Sequence, residues 1–379
     1  MGTEHEYSLN DANLVPLPIA DRVIEGIHGS VVNEFRYGGV NVSKELQKHV
    51  IELVPATPHT SLASMERQLY GGLMRFRQAT SGRYTMLGLG MHPFLTLDQT
   101  AWWDHEDLEI YEEYDRLFCL RQHGWLNIQA LQVNVHYDSE EGMVEMFNRL
   151  RSLIPFLVAV TASSPMVEGR LTGAMDNRLL YYRQNQKRVP LICNNIIPER
   201  LGSMKQHDDI LGSIYAGLRD IGGHELCREW IDSRGVVIRP HRECLELKAC
   251  DEQECLRSDM AVTAFVLSLL RADLELEDDH DSLLDMNEAA IRGGTASCRP
   301  ELLRLYDAAF EAATCEERSY LPLIRKRIEE GSVAEIVTER MADGEDALEL
   351  FRGLASCLSE NRPLCRSASG LTGGPGSSS

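Results

Sequence analysis

Two glutamates stand two positions apart at the start of the chain, in the stretch GTEHEYSL (residues 2–9). If this stretch is a β-strand, Glu4, Glu6 and Ser8 share one face, because successive side chains of a strand point to opposite faces. His5 then points to the other face, where we expect it to pack or to support its neighbours. Neighbouring carboxylates repel each other unless a cation lies between them. The pair is therefore compatible with a solvated edge strand or with a face that binds a divalent metal.

Three further stretches alternate in the same way, with apolar residues on one side and functional groups on the other. The stretch HVIELV carries Glu52, ALQVNVHYD carries Gln132, Asn134 and His136, and CLELKA carries Glu246 and Lys248. A single strand of this kind is usual at the solvated face of an antiparallel sheet. Four of them, with little Ser, Thr or Lys between the acidic and amide groups, predict a curved sheet whose polar face is a reaction chamber.

The groups on this face favour metal-assisted phosphate chemistry. Carboxylates with an amide and an imidazole are hard oxygen and nitrogen ligands that suit Mg²⁺ or Mn²⁺. Such a site binds nucleotide phosphates through the metals, while cationic side chains neutralise the charge on a transferred phosphoryl group. The loop-rich stretch over residues 163–200 supplies the cations Arg170, Arg178, Arg183, Lys187 and Arg188.

Strands and helices that alternate without a regular βαβ rhythm must position these residues. Apolar periodicity predicts strands over residues 49–55, 128–138 and 244–250, a strand that runs into a turn over 84–94, and helices over 61–82, 108–124 and 139–163. Ser139, followed by two glutamates, has the pattern of a helix N-cap. From about residue 256 the chain reads as mainly helical. We predict a single domain over residues 1–365, followed by a flexible Gly/Ser-rich tail over 366–379.

Composition and charge exclude several classes of function. The 379 residues carry a formal net charge of −20, which argues against a nucleic-acid-binding surface. No apolar run approaches the roughly 18–20 residues that span a membrane, and the N-terminus has no pattern of a secretion signal. The ten cysteines contain no C-x-x-C pair, so we expect reduced thiols in a cytoplasmic protein. The spacing of Cys244, Cys250 and Cys255 matches no standard zinc pattern.

The motifs, taken in order, resemble those of the glutamate–cysteine ligase family, in its plant-type branch and its bacterial type 2 branch of carboxylate–amine ligases. GTEHEYSL resembles the first motif of that family, and LQKHVIELVPATPHTSL resembles the second strand with its glutamate. LGLGMHPF is similar to the segment before the active-site loop, and LQVNVHYDSEEGMVEMFNRL to the plant-type Q-V-N segment. ASSPMVEGRLTGAMDNRLLYY and RPHRECLELKACD resemble the two later motifs. The likeness covers residues 2–270.

This resemblance implies a glutamine-synthetase-like α+β fold, in which a mostly antiparallel, curved sheet forms a funnel with helices packed behind it. It implies an ATP-dependent ligase that uses Mg²⁺ or Mn²⁺. Glutamate would be activated as γ-glutamyl phosphate and joined to cysteine, the first step of glutathione formation. A related ligase that joins another acid or amine remains an alternative, as does a non-catalytic nucleotide-binding relative. The partners would be small-molecule substrates, without nucleic acid or membrane, and a homo-oligomer is left open.

The resemblance also assigns roles by position. Metal ligands would be Glu4, Glu6, Glu52, Asn134 and Glu246. Gln132, Asn134, Arg183 and Glu246 would bind substrate or nucleotide. Arg178 would contact the substrate carboxylate or the γ-phosphate, with Arg170 in support. Lys248 stands where the family commonly has arginine, so the charge is kept but the planar, bidentate fork is lost.

Overall fold

A central antiparallel sheet carries the polar face predicted from the sequence. The structure, a computed structural model, describes residues 1–364 and Arg366. Its strands are β1 (Gly2–Asn10), β2 (Glu34–Tyr37), β3 (Val40–Lys44), β4 (Val50–Pro55), β5 (Thr85–Leu87), β6 (Ala130–His136), β7 (Met166–Val167), β8 (Arg170–Leu171), β9 (Val236–Arg239) and β10 (Cys244–Asp251). Eight of these form one sheet in the order β2-β3-β4-β1-β6-β10-β9, with β5 paired to β1, while β7 and β8 pair with each other.

The register of this sheet brings the polar residues of four strands together. Strand β1 lies between β4 and β6, and both pairings are antiparallel. Glu6 stands opposite Glu52, Glu4 opposite Gln132, and Asn134 opposite Glu246. Since directly opposed residues of neighbouring strands point to the same face, these side chains gather on one surface. The predicted fold class, α+β with a mostly antiparallel sheet, is confirmed.

Helices occupy most of the remaining chain. They are α1 (Ala20–His28), α2 (Leu62–Ala79), α3 (Leu108–Phe118), α4 (His123–Leu126), α5 (Glu140–Thr161), α6 (Asn177–Tyr182), α7 (Met204–Asp220), α8 (Leu256–Arg271), α9 (His280–Gly293), α10 (Arg299–Ala312), α11 (Leu321–Glu330), α12 (Val333–Ala342) and α13 (Ala347–Glu360). Ser139 caps α5 as predicted, because its side chain accepts a hydrogen bond from the Gly142 amide. The mainly helical region predicted after residue 256 is confirmed by α8 to α13.

The apolar side of the sheet packs against α2, α5 and α8. Leu53, Leu131, Val133 and Leu247 are each at most 1% exposed and belong to the same buried cluster as residues of these helices. Burying a Leu or Val side chain contributes about 1.5–3 kcal/mol, so this side of the sheet accounts for much of the stability. It also leaves the polar side free for chemistry.

Two predicted elements are shorter in the structure. The helix expected over residues 108–124 stops at Phe118, because Cys119 takes a φ of 58° and ends it before α4 begins. Apolar periodicity continues through the break, so the sequence did not reveal it. The strand expected over 84–94 is limited to Thr85–Leu87. A loop follows in which a Cβ atom at Gly90 would lie 2.1 Å from the Asp251 carboxyl carbon.

Short elements escaped the sequence-based prediction altogether. Strands β2, β3 and β9 have 4, 5 and 4 residues, too few for a clear alternation. The predicted tail lies outside the described residues except for Arg366. Within the described part of the chain, none of the helices combines the length and the apolar character needed to cross a bilayer.

Candidate active site

A cavity of about 900 Å³ opens over the polar face of the sheet. Most of the residues predicted for the site line it, namely Glu4, Glu6, Glu52, Gln132, Arg178, Glu246 and Lys248. Further lining residues that the sequence did not single out are Glu45, Tyr182, Trp125, Arg228, Trp230, Arg239, His241 and Arg242. Strands β1, β4, β6 and β10 thus supply the floor, as their alternation predicted.

Three carboxylates form a compact acidic cluster on this floor, which we define as Glu6, Glu45 and Glu52. One oxygen of each lies within 4.8 Å of the others. Glu6 and Glu52 are opposed on β1 and β4, and Glu45 directly follows the end of β3. Glu6 is 7% exposed and Glu52 is 9% exposed, so little water screens their repulsion.

The acidic cluster holds protons more tightly than isolated carboxylates do. Burial and the nearby Glu45 raise the pKa of Glu6 to about 8. Burial, with Glu4, Glu45 and Glu6 nearby, raises the pKa of Glu52 well above its usual value. Burial also raises the pKa of Glu45. A divalent cation would relieve the same repulsion, so the donor set fits Mg²⁺ or Mn²⁺.

Amide groups of β6 orient two of the glutamates. The Gln132 side chain donates to Glu6 Oε1 at 3.0 Å, and the Ala130 amide donates to Glu6 Oε2 at 2.9 Å. The Asn134 side chain donates to Glu4 Oε1 at 3.1 Å. Asn134 therefore reaches the site through Glu4, although it is not among the residues that line the cavity.

A group of cations surrounds Glu246 on the opposite side of the cavity. Arg239 donates two hydrogen bonds to its carboxylate, at 2.8 and 3.1 Å, and Lys248 Nζ lies 2.9 Å from Oε1. Burial would raise the pKa of Glu246, but Lys248 and Arg239 outweigh it and lower that pKa below its usual value. Arg242 adds an ion pair to Glu4 at 3.0 Å. In this structure side-chain cations therefore neutralise the charge of Glu246, whereas the carboxylates of the acidic cluster repel one another.

The guanidinium of Arg178 completes the cationic side. Arg178 follows Asn177, the first residue of α6, is 3% exposed, and donates from Nε to Asp251 Oδ1 at 2.6 Å. Its Nη1 donates to the Lys248 carbonyl at 3.2 Å, whereas Nη2 has no hydrogen-bond partner among the described residues. Arg178 is one of the residues that line the cavity.

The structure does not bring all of the predicted residues to the cavity. Arg170 is exposed on β8, and Arg183 forms an ion pair with Glu288 of α9 at 2.5 Å. Neither is among the residues that line the cavity. His136 is exposed at the end of β6. A density of arginines in a loop does not reveal which of them face a site.

His5 lies on the other face of β1, as the alternation predicted. It is fully buried, with Nδ1 3.3 Å from Glu252 and 3.5 Å from Asp259. Its other ring nitrogen contacts the Thr3 hydroxyl at 2.8 Å. His5 is thus held behind the sheet and does not reach the cavity.

Three comparisons relate the chain to known proteins. The model of glutamate-cysteine ligase family 2 (GCS2) matches residues 1–350. An uncharacterised protein of Archaeoglobus fulgidus is 47% identical over 363 residues, which are 95% of this chain and 99% of that relative.

Two solved structures share the fold at low sequence identity. One is a glutamate–cysteine ligase from Francisella tularensis in complex with AMP, with a TM-score of 0.68 and 12% identity over 97% of this chain and 90% of that chain. The other is a bifunctional glutathione synthetase from Pasteurella multocida, with a TM-score of 0.67 and 14% identity over 95% of this chain and 52% of that chain. At such identities the likeness establishes the fold alone.

Proposed function

Because the chain belongs to glutamate–cysteine ligase family 2, we propose that it joins the γ-carboxylate of glutamate to the amine of cysteine, with cleavage of ATP to ADP and phosphate. Membership of the family supports the broader class, an ATP-dependent carboxylate–amine ligase. The observation that carries the proposed ATP-dependent step is a single cavity that holds the acidic cluster beside Arg178, Lys248 and Arg239, while the choice of glutamate and cysteine rests on the family. Phosphoryl transfer needs both charge types in one place.

The acidic cluster would hold the divalent metal. Glu6, Glu45 and Glu52 offer oxygen donors within 4.8 Å of one another, and Glu4 lies next to them on β1. A Mg²⁺ or Mn²⁺ held there would supply positive charge that offsets the negative charge of the ATP phosphates. The Gln132 and Ala130 hydrogen bonds fix the orientation of Glu6 for this purpose.

In the proposed reaction a γ-carboxylate oxygen of glutamate attacks the γ-phosphorus of ATP. The bond from that phosphorus to the β,γ-bridging oxygen breaks, and ADP leaves with the oxygen and the electron pair. Arg178 and Lys248 would donate to the oxygens of the transferring phosphoryl group. The exposed Arg170 and the paired Arg183 have no part in this step.

The second half of the reaction forms the amide bond. The amine nitrogen of cysteine attacks the carbonyl carbon of γ-glutamyl phosphate, phosphate leaves with the electron pair of the carbon–oxygen bond, and the nitrogen passes a proton to the departing phosphate. Water would destroy the acyl phosphate, so the depth of the cavity matters. Arg239 and Lys248, both anchored on Glu246, would stabilise the leaving phosphate.

An aromatic pocket favours a second candidate, a ligase for a larger amine. Tyr111, Tyr114, Trp125 and Trp230 line a volume of about 310 Å³, and the two tryptophans also line the main cavity. Such a pocket exceeds what the side chain of cysteine needs. An amine with an apolar or aromatic side chain would use it better.

Release of ADP from Mg²⁺·ATP in the presence of glutamate and a series of amines tests the proposal. Turnover that depends on cysteine supports the first candidate, and turnover only with a larger, apolar amine supports the second. A Trp230→Ala variant separates them further, since it should impair only a reaction that uses the aromatic pocket. If no amine supports turnover and Mg²⁺·ATP does not bind, the ligase proposal is wrong and a non-catalytic relative takes its place.

A further inference from the structure

Asp251, at the end of β10, is a fully buried carboxylate with a complete set of partners. Its Oδ2 accepts from the Ser163 amide at 2.9 Å and from the Ser164 hydroxyl at 2.7 Å. Its Oδ1 accepts from Arg178 Nε at 2.6 Å. Asp251 does not line the cavity, so it has no access to substrate in this structure.

The same serines hold the backbone that carries Arg178. The Ser164 hydroxyl accepts from the Arg178 amide at 3.2 Å, and the Ser164 carbonyl accepts from the Asn177 side chain at 2.7 Å. Arg178 is therefore fixed twice, through its backbone and through the Nε edge of its guanidinium. Side chains locked in this way keep their geometry during a reaction.

Gly90 allows this arrangement to form. A Cβ atom at this position would come within 2.1–2.3 Å of the Asp251 carboxyl atoms, a distance that no side chain tolerates. The Gly90 amide also donates to the Ser163 hydroxyl at 2.7 Å. The stretches LGLGMHPF and ASSP, which contribute little to the cavity wall, thus converge on Asp251.

The arrangement leaves one edge of the Arg178 guanidinium unused. Asp251 and the Lys248 carbonyl occupy Nε and Nη1, whereas Nη2 is buried without a partner among the described residues. A buried guanidinium donor without an acceptor is costly. Arg178 is also one of the residues that line the cavity, where a phosphoryl oxygen would accept a hydrogen bond from its guanidinium.

We propose that Asp251 is a positioning residue for Arg178, whose guanidinium it holds at the cavity wall for an oxygen of the transferring phosphoryl group. This inference rests on the proposed function, because it assigns Arg178 to that phosphoryl group. It assigns a role in the reaction to a residue that lies outside the cavity. It also explains Ser163, Ser164 and Gly90, which together fix the position of Asp251.

The test uses the full chain and compares variants in steady-state turnover and thermal unfolding. Asp251→Asn keeps the size of the side chain but removes the charge that holds Arg178. We expect kcat to fall by about 100-fold, the cost of misplacing a reacting group by about 1 Å, with a much smaller change in KM for ATP. Ser164→Ala removes one hydrogen bond to Asp251 and should lower kcat by about 10-fold. If Asp251→Asn does not fold, the kcat of Ser164→Ala tests the inference instead.

A double-variant cycle separates positioning from a general structural role. If Asp251 acts through Arg178, then Asp251→Asn should add less than about threefold to the loss of kcat already caused by Arg178→Lys. Glu254→Gln is the matched control, because Glu254 forms an equally buried ion pair with Arg327 away from the cavity. We expect it to lower the unfolding temperature while kcat stays within about twofold of the wild type.

The outcomes are distinguishable. Low kcat in Asp251→Asn, without additivity, supports the inference. An active wild type whose Asp251→Asn and Ser164→Ala variants behave like Glu254→Gln overturns the inference and leaves the proposed function intact. A wild type that turns over no amine overturns the proposed function, and this inference with it.

Discussion

Glu6 receives hydrogen bonds from two donors of β6 while Glu45 and Glu52 repel its charge. This balance determines what a substitution there does. Glutamine has nearly the same shape and can still accept one hydrogen bond, but it removes one of three negative charges. Glu6→Gln should therefore leave the fold intact and reduce turnover by about 100-fold or more, since the metal loses a charged ligand.

The measurement for Glu6→Gln is ADP release at increasing Mg²⁺ concentration, with the unfolding temperature as a check on the fold. Glu141→Gln, an exposed position in the first turn of α5, is the control and should behave like the wild type. Near-normal activity of Glu6→Gln would show that β1 does not bind the metal.

Arg239 provides the planar fork that Lys248 lacks. It holds Glu246 with two hydrogen bonds from β9, the neighbouring strand. We expect Arg239→Gln to lower kcat/KM by about 10- to 100-fold, because Glu246 loses its bidentate partner and one positive charge leaves the cavity wall. Steady-state kinetics at varied ATP check this, with Arg228→Gln on the cavity rim as a control for charge alone. Equal losses in the two variants would contradict a specific role for Arg239.

At the scale of single residues, the sequence predicts the side chains that face the cavity where they lie on strands with a clear alternation. Glu4, Glu6, Glu52, Gln132, Glu246 and Lys248 follow from a period of two. Glu45 lies beyond the end of β3, where this period no longer applies, and Arg239 lies on a strand of only 4 residues. Their positions depend on the pairing of β3 with β4 and of β9 with β10, which sequence alternation does not specify.

At the scale of elements, the loop after β5 packs the neutral His92 into the core against the neutral His49, which directly precedes β4. His49 and His92 are both fully buried, with ring centroids 6.5 Å apart. Burial lowers the pKa of His92 to about 3, and burial together with His92 lowers the pKa of His49 well below its usual value. Their Nε2 atoms have no partner among the described residues, so no nearby group compensates a positive charge.

These two histidines predict a loss of stability in acid. Below a pH of about 6.5 the unfolded chain binds protons that the folded chain does not, so the stability present above that pH declines as the pH falls towards 3. Between pH 7.5 and 5 His92 should remove about 2 kcal/mol from the free energy of unfolding, and His49 should add to this loss.

Urea unfolding at pH 7.5 and 5 measures this effect. His92→Gln, which retains an acceptor for the Phe94 amide, should show a smaller difference between the two pH values than the wild type. His28→Gln, at the partly exposed end of α1, is the control and should leave the difference unchanged. Equal pH dependence in the wild type and His92→Gln would rule out this origin.

Strands and helices were predictable from the sequence where the apolar pattern and the residues at the ends of the element indicate the same structure. Strands β1, β4, β6 and β10 alternate cleanly between apolar and polar residues. Ser61 and Ser139 mark the starts of α2 and α5, because their side chains accept hydrogen bonds from the amides of Ser64 and Gly142. A turn after the strand within residues 84–94 was predictable, but the course of the loop from Gly88 to Phe94 was not, because it depends on Asp251, which lies more than 150 residues further along the chain.

At the scale of the whole molecule, the net charge of −20 and the acidic cluster both lead to a response to divalent cations. Mg²⁺ at 100 times its Kd should stabilise the folded chain by about 2.7 kcal/mol, since binding favours the folded state by mass action. The unfolding temperature should therefore rise with MgCl₂ well beyond its rise with NaCl of equal ionic strength, which reports only screening of the net charge. Equal shifts with both salts would show that the acidic cluster binds no Mg²⁺.

The overall architecture followed from the sequence more fully than the site did. The faces of four strands and the order of the motifs predicted an antiparallel sheet with helices behind it, and this is what the structure has. The single domain remains a prediction. The order of strands across the sheet was not predictable, because β1 pairs with strands from distant parts of the chain.

The position of β1 has a consequence for folding of the protein. β1 occupies the middle of the sheet, and its His5 contacts Glu252 and Asp259, which lie some 250 residues further along the chain. Contacts this distant in sequence slow folding, because a long loop must close before they form. The apolar side of β1 is therefore completed late in folding, because His5 gains Glu252 and Asp259 only once the end of β10 and the start of α8 are in place.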